Sequence, residues 1–307
     1  MRAIAYSKYG HSDVLELVDL PVPKVGPDSV LVAVRAASVN PVDWKVREGY
    51  LDGIVDTTFP VVPGWDVAGV VERVGLDTPE LQVGDEVYGY VRKDWMHGGT
   101  FAQYVAAPVR TLARKPASLS FEEAAAVPLA GLTAFQTIER AGVTAGQTVL
   151  VHAAAGGVGQ FAVQIAAARG ARVIGTASPR NHEHLVALGA EPVAYGDGLV
   201  DAVRALAPEG VDGVLDYGTD DLVGTTKALL KPGGAVASIV DAKARDELGG
   251  HYVWVRPSTA DLDALTALIE AGQVRVDVAQ VFDLADAAAA HEASQSQHVR
   301  GKVVVRV

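Results

Sequence analysis

Thr148-Val-Leu-Val-His-Ala153 is an apolar run that passes directly into Ala154-Ala-Gly156-Gly157-Val158-Gly159 and then into Gln160-Phe-Ala-Val-Gln-Ile-Ala-Ala-Ala-Arg169. The first segment reads as a buried strand and the last as a helix. Small residues at Ala153, Gly156 and Gly159 have the spacing A-x-x-G-x-x-G, a variant of the dinucleotide fingerprint in the strand–turn–helix setting that gives the motif meaning. One small residue allows the tight turn, one admits a pyrophosphate to the backbone, and one seats the helix on the strand. The amides around Gly157 and Val158 then face the anion. Such a turn demands a parallel sheet around it, because the helix must cross back to a neighbouring strand.

The sequence from Gln147 onward supplies that sheet. Strands are expected at Thr148–Ala153, Ala171–Ala177, Pro192–Tyr195, Gly213–Tyr217, Ala235–Val240 and His251–Val255. Helices fall near 158–169, 181–188, 199–206 and 220–230. An NAD-specific fold would place an acid at the end of the second strand, about 20 residues along, to bind the ribose hydroxyls. Here that stretch reads Thr176-Ala-Ser178-Pro-Arg180-Asn, with no carboxylate before Glu183. The Ser178 hydroxyl and the Arg180 guanidinium suit a 2′-phosphate, so the expected cofactor is NADPH.

The residues before Ser120 read differently, as short strands (3–7, 29–37, 66–74, 86–90 and 100–106) broken by Pro and Gly turns. Ser120-Phe-Glu-Glu123 has capping-box spacing and opens a helix to about Arg140, with a kink expected at Pro128. Beyond Pro257 come a helix, a strand, an alanine-rich helix and a strand over 302–307. These exceed what a six-stranded nucleotide fold needs, so the tail is expected to return to the first domain. The expected domains are residues 1–119 with 257–307, and residues 120–256.

With no cysteine among 307 residues, disulfides, thiolate nucleophiles and thiolate metal sites are out, and a reducing cytoplasm fits. A net charge of −11 repels nucleic-acid backbones and acidic bilayers. The first residues alternate into a strand rather than forming a signal core, and no apolar run reaches about 18 residues. No nucleic-acid or membrane partner is therefore expected. The histidines form no metal-binding pattern: His182, His184, His291 and His298 are expected at the surface, and only His97 flanks a loop of interest.

Ala37-Ser-Val-Asn40-Pro-Val-Asp43, Pro63-Gly64-Trp65-Asp66-Val-Ala-Gly69, Gly84-Asp-Glu-Val-Tyr88-Gly89 and Gly98-Gly-Thr-Phe-Ala-Gln-Tyr104, followed by the glycine turn, resemble the medium-chain dehydrogenase/reductase superfamily. The likeness runs along essentially the whole chain and is strongest to the zinc-free quinone oxidoreductase branch. It implies an α/β fold with a GroES-like β domain plus a Rossmann doubly wound parallel sheet, and commonly a homodimer. Zinc-dependent relatives place Cys, His and Cys around the catalytic metal. Here Asn40 and Trp65 match the first two positions and no cysteine exists, so no metal is expected. The resemblance further implies nicotinamide contacts from Asn40 and Thr133, 2′-phosphate contacts from Ser178 and Arg180, and cofactor contacts from Tyr195, Ile239 and Lys302. Where some relatives carry Tyr two residues after the acid of N-P-V-D, this chain has Lys45.

Without a metal, hydride transfer favours acceptors that spread developing charge through their own π-system, which points to quinones and α,β-unsaturated carbonyls. The candidate donors to the substrate oxygen are Asn40, Lys45 and Tyr50, with Asp43 orienting Lys45 or a backbone amide. Trp44 and Trp65 are expected as apolar walls. The alternatives are a low-turnover NADPH-binding protein with a structural or redox-sensing role, and a metal-free carbonyl reductase.

Overall fold

A computed structural model describes residues 1–296 and 299–307. It divides by internal contact into a unit of residues 1–129, 257–270 and 276–307, and a second of 130–256 and 271–275. The border lies after Leu129 rather than at Ser120. The expected helix breaks into Phe121–Ala125 and Pro128–Arg140, because proline at 128 removes a backbone donor and crowds the preceding turn. The capping box forms at its start: Ser120 Oγ accepts from the Glu123 amide at 3.2 Å, and the Glu123 carboxylate accepts from the Ser120 amide at 2.9 Å.

The first unit is organised on the long strand Ser29–Val39, almost wholly buried. Asp66–Val74 pairs antiparallel along it, while Tyr104–Pro108 and Lys302–Arg306 share its other pairings. The sheet runs Val278–Asp283, Lys302–Arg306, Ser29–Val39, Asp66–Val74, Glu86–Tyr90, Leu112–Arg114. Register sets Val303 opposite Val39 and Val305 opposite Ala37, so valines of the late strand join Ile4, Val39 and Phe101 in one apolar cluster. Burial of that kind contributes roughly 25 cal/mol per Å² of apolar surface, and it is what draws the tail back to the first unit.

His291 corrects the expectation of surface histidines. It is fully buried on the helix Ala287–Gln295. Its Nδ1 lies 3.2 Å from the Arg47 guanidinium, and its ring meets Phe101 edge-on at 5.5 Å. Burial, reinforced by the Arg47 charge, depresses its pKa to about 3, so it stays neutral and can accept from the arginine. Arg47, fully buried itself, also donates to Gly10 O and to Glu48. His298 lies outside the described residues.

The second unit holds six parallel strands in the order Ala190–Val193, Arg172–Thr176, Thr148–Val151, Val211–Asp216, Leu230–Ser238, His251–Tyr252. In chain order within this unit that is 3-2-1-4-5-6, the doubly wound arrangement whose direction reverses between the first and fourth strands, where ligands bind. The last strand has two residues rather than the five expected. No helix among the described residues is long and apolar enough to cross a membrane.

Candidate active site

In the nucleotide unit the site grows from the end of Thr148–Val151. The chain turns sharply there: Ala153 has φ 51°, a left-handed conformation rare for a residue with a Cβ. The turn is pinned to the second strand, with Ala153 N donating to Thr176 Oγ1 at 3.1 Å and Ala154 N to Thr176 O at 2.9 Å. Gly159 must be glycine on packing grounds, since a Cβ there would lie 2.2 Å from Ala153 O. The helix Gly159–Ala168 begins at that contact. Among the described residues the Gly157 and Val158 amides have no backbone acceptor. Two free donors at a helix N-terminus make a cradle for an anion.

Ser178 and Arg180 sit on the short turn after the second strand. Ser178 is half-buried, and Arg180 is exposed with no ion-pair partner among the described residues. Tyr195 is exposed, Ile239 half-buried with its amide on Asp216 O, and Thr133 buried on the helix Pro128–Arg140. His152 is buried at the strand end, and desolvation lowers its pKa to about 4, so it is neutral.

In the β unit, strand and helix meet at Asn40, which starts the helix Pro41–Arg47. Its backbone amide donates to Asp43 Oδ2 at 2.7 Å, and its side-chain Nδ2 donates to Asp66 Oδ2 at 2.8 Å. Lys302 Nζ donates to Asn40 Oδ1 and, at 3.2 Å, to Val39 O. Ser38 Oγ (2.7 Å) and the Leu129 amide (2.8 Å) complete the donors on Asp66. Every side chain in this cluster is buried.

Its electrostatics follow from that burial. Desolvation raises Asp43 to about 7, opposed by the Asn40 amide. Desolvation also raises Asp66, against the opposing pull of Lys302, Asn40, Ser38 and the Leu129 amide. Burial lowers Lys302, while the charges of Asp66 and Asp43 push the other way. Asp66, holding three donors, is the carboxylate that answers the ammonium; Asp43, with one, is the group that takes up a proton near neutrality.

Asp43 also lines a small, partly open pocket within the same unit, together with Tyr6, Trp65, Lys93, Trp95 and His97. Trp65 is one of its walls, and it packs edge-on against Tyr90 at 6.0 Å. Trp44 is not among the lining residues; it meets Tyr50 edge-on at 6.4 Å and carries Lys45 Nζ 5.5 Å from its ring centre. Lys45 and Tyr50, exposed, also lie outside the lining. The structure thus gathers Asn40, Asp43 and Lys302 and leaves Lys45 and Tyr50 apart from them. Sequence reasoning missed Ser38, Asp66 and Tyr6. Asp66 was visible as an acid at a strand start between Trp65 and Val67, a position where an unpaired carboxylate is costly.

Two family profiles match the chain: the alcohol dehydrogenase GroES-like domain over residues 26–117, and the zinc-binding dehydrogenase family over residues 188–305. A 2-methylene-furan-3-one reductase of Solanum lycopersicum is 42% identical over 62% of this chain, which spans about half (51%) of that relative's length. An NADPH-dependent alkenal/one oxidoreductase, chloroplastic, of Arabidopsis thaliana is 36% identical over 99% of this chain and 79% of its own. The solved quinone oxidoreductase from Coxiella burnetii superposes with a TM-score of 0.88 at 35% identity, over 100% of this chain and 99% of that one. With similarity of that extent joined to the glycine turn and the doubly wound sheet, the chain belongs to the medium-chain dehydrogenase/reductase superfamily, in its quinone oxidoreductase-like branch.

Proposed function

We propose that this protein is a zinc-independent, NADPH-dependent reductase of quinones and α,β-unsaturated carbonyl compounds. One observation carries the metal-free part of this reading: at the positions that hold Cys and His in zinc-dependent relatives, this chain has Asn40, already engaged by Lys302 and Asp66, and the indole of Trp65. Neither is a zinc ligand in that state.

The cofactor reading is supported by a donor set that suits a phosphorylated dinucleotide: the Gly157 and Val158 amides and the close-packed Gly159 for the pyrophosphate, and Ser178 and Arg180 for a 2′-phosphate. Bound NADPH supplies the hydride. The chain's own residues bind, orient and hold charge. Asn40 is held in one orientation by a buried ammonium on its oxygen and a carboxylate on its nitrogen, leaving one Nδ2 hydrogen to give. Asp43, near neutrality, is a carboxyl that can hold a proton at the pocket wall. Thr133, Tyr195, Ile239 and Lys302 remain assigned to cofactor binding, Lys302 by fixing Asn40, and Lys45 and Tyr50 to the substrate approach. The proposed domains are those expected from the sequence, with residues 120–129 moved to the β unit and residues 271–275 to the nucleotide unit.

The cytoplasm is the proposed compartment, supported by a chain that uses no cysteine. A homodimer is the proposed assembly, supported by a two-residue edge strand with exposed Trp254 two residues beyond it. The test of function is steady-state NADPH oxidation with a panel of quinones and enones after dialysis against a chelator. Turnover that survives chelation is expected. Tight NADPH binding with no turnover on any acceptor would sink the reading. Arg180→Ala should weaken NADPH roughly 10–100-fold and NADH little, as expected for a charge-assisted contact; equal weakening would remove Arg180 from the 2′-phosphate.

A further inference from the structure

The carboxyl ends of the fourth and fifth strands of the nucleotide sheet carry a buried polar pair that the cofactor reading does not use. Register sets Asp216 opposite Ser238 at the ends of Val211–Asp216 and Leu230–Ser238, and both side chains are fully buried. Ser238 Oγ donates to Asp216 Oδ2 at 2.6 Å and accepts from the amides of Val240 at 3.1 Å and Asp241 at 2.9 Å. Asp216 Oδ1 accepts from the Gly218 amide at 2.9 Å, and the Asp216 carbonyl accepts from the Ile239 amide at 3.2 Å. One carboxylate and one hydroxyl thus fix the start of both loops that leave these strands.

The arrangement is costly. Burial raises the Asp216 carboxyl above its ordinary value, and the charge of nearby Asp241, of the same sign, adds to the rise. A buried acid without a cation lowers stability, and an apolar pair would join the two strands as well. What an apolar pair could not do is hold the amides of residues 218, 240 and 241. Those loops stand at the crevice: the strand order reverses between Thr148–Val151 and Val211–Asp216, and a Cβ on Gly218 would lie 3.6 Å from that of Ala153, the first small residue of the glycine turn. The reversal divides the sheet into two mononucleotide-binding halves. Ser178 and Arg180, proposed for the 2′-phosphate, follow the second strand and so assign the adenosine to the first half. The fourth and fifth strands then serve the nicotinamide half, with Ile239 between Ser238 and Val240.

We propose that Asp216 and Ser238 are positioning residues that hold the loops after the fourth and fifth strands in the form that receives the nicotinamide half of NADPH. The proposal rests on the cofactor reading for its ligand. Both side chains are sealed from solvent, so they act through the backbone of Gly218, Ile239 and Val240. The Ser238 oxygen gives its hydrogen to the carboxylate and both lone pairs to amides, which leaves it one orientation, and the loops inherit that orientation.

Calorimetric titration with NADPH and with 2′,5′-ADP, which has the adenosine and its 2′-phosphate but no nicotinamide, separates positioning from general loosening. Ser238→Ala should raise the Kd for NADPH roughly tenfold or more and that for 2′,5′-ADP less than about twofold. Ser238→Thr keeps the hydroxyl and should bring NADPH binding back to within about threefold of wild type. Asp216→Asn answers for a Ser238→Ala that does not fold. It removes a buried negative charge, which favours folding, and it takes the carboxylate acceptor from the Ser238 hydroxyl, so the same split between the two ligands is expected. Equal weakening of NADPH and 2′,5′-ADP, or NADPH binding unchanged in Asp216→Asn, overturns the proposal while leaving the cofactor reading intact. A wild-type protein that binds neither ligand brings down the cofactor reading and the proposal with it.

Discussion

Asp43→Asn is nearly isosteric with the protonated acid, and its side-chain oxygen can keep the 2.7 Å bond from the Asn40 amide. In the native protein a carboxyl with an ordinary value of 3.8 titrates near 7 when buried here. Between those values the folded state holds a proton that the unfolded state has released. Stability therefore falls as pH rises through that window, by at most roughly 1.4 kcal/mol per pH unit and about 4 kcal/mol in all. Asp66 and Lys302 titrate within reach, which spreads the proton over the cluster and brings the slope below that ceiling. The substitution removes the dependence. Urea unfolding of both proteins at pH 4, 5, 6, 7 and 8 is the assay. The two should be close at pH 4, and the variant should gain on wild type with each step to about pH 7, then hold a constant lead. Parallel curves across the range would show that Asp43 ionises as an ordinary surface acid does, and the account of the buried cluster would be wrong. In the variant, kcat/KM should lose any inflection that wild type shows near pH 7.

Two further outcomes follow from the same geometry. Gly159→Ala forces a Cβ to within 2.2 Å of Ala153 O, so the turn must shift; NADPH affinity by fluorescence titration should drop more than about tenfold, with a lower Tm. Lys302→Met strips the ammonium from Asn40 and leaves Asp66 buried without a counter-charge, which should cost roughly 3–5 kcal/mol in urea unfolding, with Lys302→Arg recovering part of it.

The glycine turn was legible because its information is local: strand, small residues and helix lie within about 20 positions, and the helices at 199–206 and 182–188 followed from periodicity within one to two residues. The buried cluster was not, because Asp66 and Lys302 reach Asn40 across 26 and 262 positions. Only the register of Lys302–Arg306 on Ser29–Val39 brings them together, and an alternating valine strand carries no mark of its partner. His291 was misplaced for a related reason. Its helix is mostly alanine, so the sequence lacks the contrast that would show which face is inward, and burial was decided by Arg47 and Phe101 from distant segments. Tyr6 looked like one more residue of an alternating strand; that its hydroxyl is buried with no hydrogen-bond partner among the described residues is a property of the folded surroundings alone.

The late strand has a consequence for biogenesis. Asn40 leaves the ribosome 262 residues ahead of Lys302, a lag of roughly 15–50 s at ordinary elongation rates. Through that interval Ser29–Val39 lacks one of its neighbours, and Asp66 has no ammonium to offset it. The nucleotide unit, nearly contiguous in the chain, can mature while it is being made. The β unit must wait, as an open-edged nascent intermediate exposed to chaperones and to aggregation.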